Sequence, residues 1–158
     1  MRYQDLIQEE TKAAFNEFFK YARAVPADKV EWAPLDNGRS VLAQARECAK
    51  CPDWAVAILT TDGPPGMDAD AWAAQQAEMN TWSTLDQCEE EARKRLAKLL
   101  EVFAGLPDEK LSEKKWLPFD GGREFTYQEM TTYPRWNANY HTGQVAYIQT
   151  LYGDKEMY

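Results

Sequence analysis

One histidine, His141, stands in a chain of 158 residues, and Asn137 precedes it by four positions. On a helix that spacing puts both side chains on one face. An imidazole changes charge near neutral pH and ligates metals through either ring nitrogen, so an inward His141 beside a second polar group suits metal binding or proton transfer. The same spacing also suits a buried imidazole that only satisfies hydrogen bonds. Gln144, Val145, Ile148 and Tyr152 continue one face of this segment and point the pair inward. Cys48 and Cys51 form a lone Cys-x-x-Cys. A zinc site needs two more ligands at matching spacing, and none is near. A redox motif belongs at a helix start after a strand, whereas this one falls inside a helical pattern. The two thiols therefore read as small packed side chains. Glu89-Glu90-Glu91, Asp68 and Asp70 read as solvated, and Trp54, Trp136, Tyr140 and Tyr147 are candidates for a pocket wall or for core.

The elements that must position these residues are helical. Leu6, Glu10, Ala13, Ala14, Phe18, Ala22 and Val25 recur at three- and four-residue steps over residues 3–24, with Phe15 and Phe19 widening the stripe, and Pro26 ends it. Ser40 caps a second helix to about 60, which Pro52 is expected to kink or interrupt. The clearest break, Thr60 to Gly66, precedes a short helix at about 69–79. Ser83 with Asp86 opens a third long helix, with Leu85, Cys88, Ala92, Leu96, Leu99, Leu100 and Phe103 on its apolar face; Gly105 and Pro107 end it. Lys115 to Phe125 reads as a short hairpin turning at Asp120-Gly121-Gly122. Thr126 and Glu129 form a capping box for the last helix, which runs to about Tyr152, is bent or divided by Pro134 and ends at Gly153. Amphipathic helices joined by loops imply an all-α antiparallel four-helix bundle with a hairpin before its last helix, one domain over residues 1–158.

Composition narrows the partners. Lys and Arg number 18 against 26 Asp and Glu, a formal net charge of −8, which repels phosphate backbones. The one basic run, Arg93-Lys94-Arg95, follows Glu89-Glu90-Glu91 at i,i+4 spacing and reads as a helix face, so nucleic acid is not an expected partner. No run of about 18 apolar residues calls for a membrane span. Met1-Arg2-Tyr3-Gln4-Asp5 has no apolar leader, and three cysteines in such a chain are expected to be reduced; the expected location is the cytoplasm.

The segment from Asn137 through Tyr140, His141, Gly143, Gln144, Val145 and Ile148 to Gly153-Asp154 resembles the last helix of DinB-like proteins, which carry a His-x-x-x-His-x-Gly-Gln-Ile pattern there. Ala22 to Trp32 is similar to the end of their first helix and its loop, and Ser40-Val41-Leu42 to the start of their second. The resemblance implies a four-helix bundle, a homodimer, and three histidines holding a divalent ion. Carried over by position, the ligand sites here are Glu47, Asn137 and His141, of which only the last is histidine. A carboxylate, an amide and an imidazole suit a hard ion or water better than tight zinc, the candidate ions being Zn, Ni, Mn or Fe. Two functions follow from the likeness. One is a metal-dependent enzyme of thiol-transferase or hydrolase type, acting on a small molecule such as a low-molecular-weight thiol. The other is a non-catalytic small-molecule or protein-binding bundle that has lost its metal, with a Glu47–His141 hydrogen bond and Asn137 holding the geometry.

Overall fold

The computed structural model describes residues 1–35, 37–62 and 68–158. Five helices are α1 (Tyr3–Ala24), α2 (Val41–Thr60), α3 (Ala69–Asn80), α4 (Leu85–Gly105) and α5 (Tyr127–Leu151), with a hairpin of β1 (Lys114–Leu117) and β2 (Arg123–Thr126) before the last. The four-helix bundle and the hairpin match the sequence expectation. The break expected from Thr60 to Gly66 lies partly outside the described residues.

Contacts between elements run around a square: α1 packs on α4 and α5, and α2 packs on the same two, which leaves α1 and α2 on a diagonal. Side-chain bonds give the directions. Arg2 reaches Ala104 and Arg23 reaches Glu89, so α1 and α4 are antiparallel; His141 meets Gln44 and Asn137 meets Glu47, so α2 and α5 are too. The pairs α1/α5 and α2/α4 run parallel, joined through Tyr3 to Gln128 and Tyr21 to Gln149 on one side and Arg46 to Trp82 and Asp53 to Arg95 on the other. Parallel neighbours cannot be linked by a tight turn, and the α2–α4 crossover accordingly spans the bundle and carries α3.

Local chemistry explains the element ends. Ser40 Oγ accepts from Ala43 N, Thr126 Oγ1 accepts from Glu129 N, and Glu129 returns a bond to Thr126 N at 2.7 Å. The cap of α4 is Thr84 rather than Ser83: Thr84 Oγ1 accepts from Gln87 N, and the Gln87 amide oxygen takes both Ser83 N and Thr84 N. Pro52 and Pro134 both lie within continuous helices, so neither helix is divided. The buried face of α1 is centred on Ile7, Thr11, Phe15 and Phe18, while Leu6 and Ala13 are exposed; a stripe through Leu6 and Ala13 is one step too far round. In the hairpin turn Asp120, Gly121 and Gly122 have φ of 55°, 80° and 82°, which is why two glycines stand there.

Phe15, Phe18, Phe19, Leu99 and Phe103 fill the centre of the bundle. The helix α3 is tethered chiefly by charge: Lys50 binds Asp53 at 2.9 Å and Glu78 at 2.7 Å, and Arg95 binds the same two carboxylates. Among the described residues, no helix is long and apolar enough to cross a membrane.

Lys115 ties the hairpin to the end of α2. Its buried ammonium donates to the carbonyl of Ile58 in the last turn of α2 and to that of Thr61, the residue that follows the helix. Lys115→Met should remove both bonds and lower unfolding free energy by about 1–3 kcal/mol in urea denaturation. A loss below about 0.5 kcal/mol would show that the ammonium does not cap α2.

Candidate functional site

The helices α2 and α5 bring Glu47, Asn137 and His141 together. His141 is fully buried and Asn137 is 2% exposed, whereas Glu47 is half-buried. Glu47 Oε1 stands 3.0 Å from His141 Nε2 and accepts from Asn137 Nδ2 at 3.2 Å. Glu47 Oε2 is ion-paired with Arg39, the residue before the α2 cap. The other face of the imidazole is fixed by two amides. Nδ1 stands 3.0 Å from Gln44 Oε1 and 3.1 Å from Gln144 Oε1, so its hydrogen points at one or both oxygens. Phe18 and Tyr140 meet the ring edge-on.

With Nδ1–H committed to amides, Nε2 has two chemical states, and they mean different things. Protonated, it donates to Glu47 and the pair is a salt bridge. Deprotonated, its lone pair points at the spot that Glu47 Oε1 also faces. The hydrogen bond from His141 is the main reason the Glu47 carboxyl is held down at about 2; burial opposes it and Arg39 reinforces it.

The residues can be tested against a metal ion on this geometry. Donors sharing one ion at about 2.1 Å stand about 3 Å apart, which the Nε2–Oε1 spacing of 3.0 Å meets. Asn137 Oδ1 is buried and has no hydrogen-bond partner among the described residues, a costly state for an amide oxygen and a free donor for a cation. No three His, Cys, Asp or Glu side chains among the described residues cluster as ligands, so an ion would need the Asn137 amide as a third protein donor, turned so that Oδ1 takes the place of the Nδ2 that now faces Glu47. The donor set fits a cation that tolerates oxygen ligands.

Glu47 also lines a cleft of about 1910 Å³ between α1 and α2, roofed by α3 and the hairpin. Its walls include Trp54, Trp72, Phe119, Tyr133, Trp136 and Tyr140. Tyr147 does not line it and is 65% exposed.

The cysteines are packing. Cys48, Cys51 and Cys88 are buried and unpaired, and burial pushes all three thiols up, Cys88 to about 11. Such thiols are not nucleophiles at neutral pH. Sequence reasoning missed Gln44 and Arg39. Gln44 lies three residues before Glu47, hence on its face of α2, and was open to the same spacing argument as Asn137 and His141; Arg39 precedes the helix and carries no periodic signal.

Comparisons agree with this architecture. The chain superposes with a TM-score of 0.73 on YfiT from Bacillus subtilis, over 97% of this chain and 90% of that one at 12% identity. That protein is described as "a probable metal-dependent hydrolase with an unusual four-helix bundle topology". A conserved protein from Enterococcus faecalis matches with a TM-score of 0.62, over 96% of this chain and 97% of that one at 17% identity. No family model matches, and no curated protein matches in sequence. The chain thus has the YfiT-like four-helix-bundle fold, the fold that the DinB-like resemblance implies.

A pH prediction follows from Glu47. Its folded-state pKa is depressed from 4.5 to about 2, so its contribution is present above pH 4.5 and disappears as pH falls towards 2. Wild type should therefore exceed Glu47→Gln in stability at pH 6 by at most about 3 kcal/mol, less after solvent screening. The gap should close between pH 4.5 and 2 in urea titrations. A gap independent of pH would contradict the charged role of Glu47.

Proposed function

We propose that the protein is a DinB/YfiT-like, divalent-metal-dependent enzyme of the hydrolase or thiol-transferase class. In this reading Glu47, Asn137 and His141 hold the ion and the cleft beside them takes a small-molecule substrate. The single observation that carries it is the His141 Nε2–Glu47 Oε1 pair at 3.0 Å, a spacing that two ligands of one ion can share, with the Asn137 amide bonded to the same carboxylate oxygen through Nδ2. When bound, a divalent ion supplies Lewis acidity, which makes a water or a thiol nucleophilic near neutral pH. Gln44 and Gln144 fix the imidazole tautomer from behind, as outer partners of a ligating histidine do. Arg39 holds Glu47 Oε2 and turns Oε1 towards His141. Cleft aromatics position the substrate next to Glu47. A homodimer in the cytoplasm belongs to the same proposal and rests on the resemblance.

One observation favours a second reading. Arg39 pairs with one Glu47 oxygen and His141 Nε2 lies 3.0 Å from the other, so the carboxylate has a partner on each oxygen without a metal, which suits a binding bundle that has lost its ion.

Metal analysis separates the two. Protein made without an affinity tag and dialysed against Mn, Fe, Ni or Zn should retain one equivalent of at least one of them. His141→Ala should abolish retention, and Glu47→Gln should weaken it more than tenfold. Absence of stoichiometric metal in wild type after every loading would overturn the enzyme reading in favour of the metal-free bundle.

A further inference from the structure

The cleft carries chemistry that the ligand cluster does not use. Tyr133, Trp136 and Tyr140 recur along α5 and stack nearly parallel: Trp136 on Tyr140 at 5.4 Å and 19°, Tyr133 on Trp136 at 6.2 Å and 27°. Trp136 is 57% exposed and Tyr140 49%. Large rings left open to water in a cavity are unlike core aromatics, which are buried. A second pair, Trp54 on α2 and Trp72 on α3, is held 6.1 Å apart, and the Trp54 indole is anchored by Gln75. The Trp136 indole and the Tyr140 hydroxyl bond to no described residue. Tyr140 also touches the His141 ring at 5.3 Å, so a ligand on this platform ends beside Glu47.

Charge selects among flat ligands. Among the described residues, six carboxylates line the cleft against three cationic side chains. The cations are spoken for: Lys50 by Asp53 and Glu78, Arg123 by Asp120 and Glu129, and Arg135 by Glu10. Glu17 on α1 lines the cleft half-buried and makes no hydrogen bond or ion pair with any described residue. Indole and phenol faces attract cations through their quadrupoles, and a free carboxylate adds to that attraction.

We propose that the cleft binds a planar aromatic ring bearing a positive charge, stacked on Trp136 and Tyr140 with its cation turned towards Glu17. This deepens the proposed function by naming the substrate class of the same site, and it rests on that reading only for what happens next to Glu47. An anionic ring is disfavoured because every described lining cation is engaged, while Glu17 is a lining carboxylate with no partner among the described residues.

The test uses the full chain stripped of metal, so that ring binding is read apart from metal binding. Calorimetric titrations with benzyltrimethylammonium, benzyl alcohol and phenylacetate compare one ring with positive, neutral and negative substituents. Benzyltrimethylammonium should bind at least about fivefold tighter than benzyl alcohol, with phenylacetate weakest. Trp136→Ala should weaken the cation about fivefold or more, and Glu17→Gln should bring it close to the neutral probe, both variants retaining wild-type circular dichroism. Trp136→Leu keeps an apolar side chain there and serves if the alanine variant misfolds. Phenylacetate binding as tightly as the cation, or no cation binding while wild type retains one equivalent of metal, would overturn the inference and leave the metal reading intact. Cation binding without metal retention would support the inference and count against the enzyme reading alone.

Discussion

The contact between Glu47 on α2 and His141 on α5 is the constraint on which the functional architecture turns. A fully buried imidazole needs a partner for each ring nitrogen, and a carboxylate drawn away from water needs hydrogen bonds or opposite charge. Each group supplies what the other lacks, and Gln44, Gln144, Asn137 and Arg39 complete the set. Because the members come from two antiparallel helices and the turn before one of them, the cluster also specifies how those helices register. A shift of α5 by one turn would move His141 about 5.4 Å along its axis and break its contact with Glu47.

Around this contact the bundle separates tasks. Apolar packing of Phe15, Phe18, Phe19 and Phe103 supplies the bulk of the cohesion, while the polar cluster sits against one side of it, with Glu47 reaching the cleft. The unusual wiring follows from the same geometry. Placing α2 and α4 side by side and parallel demands a long crossover, and that crossover delivers α3, whose Trp72 becomes part of the cleft wall. The Lys50–Asp53–Arg95–Glu78 network then holds a helix that buries little of its apolar surface, with Met79 as its one buried residue.

Much of the fold was legible because periodicity and caps are local. The helices over 3–24, 40–60, 69–79 and 126–152 emerge within a residue or two of their observed limits, and Ser40, Thr126 and Gly153 act on the backbone at three of those ends. The α4 cap was misplaced by one residue because Ser83 and Thr84 are both competent caps, and only the Gln87 amide decides between them. Prolines 52 and 134 suggested a kink or an interruption, and neither divides its helix. Helix adjacency was not legible, as a hydrophobic stripe says that a face is buried but not against what. The site divides in the same way. Asn137 and His141 declare themselves by spacing on one helix, whereas Glu47 is 94 positions from His141 and was reachable only through family resemblance. Arg39 and the cleft aromatics of α3 and the hairpin gain meaning only once the chain is folded.

The most direct measurement of the central contact is a double-mutant cycle between Glu47→Gln and His141→Gln, read by urea unfolding at pH 6 without added metal. A coupling of about 1–3 kcal/mol is predicted, because each single change leaves a buried partner uncompensated and the double change removes both. Additivity within about 0.5 kcal/mol would contradict the account, since the two side chains would then be folding without reference to each other.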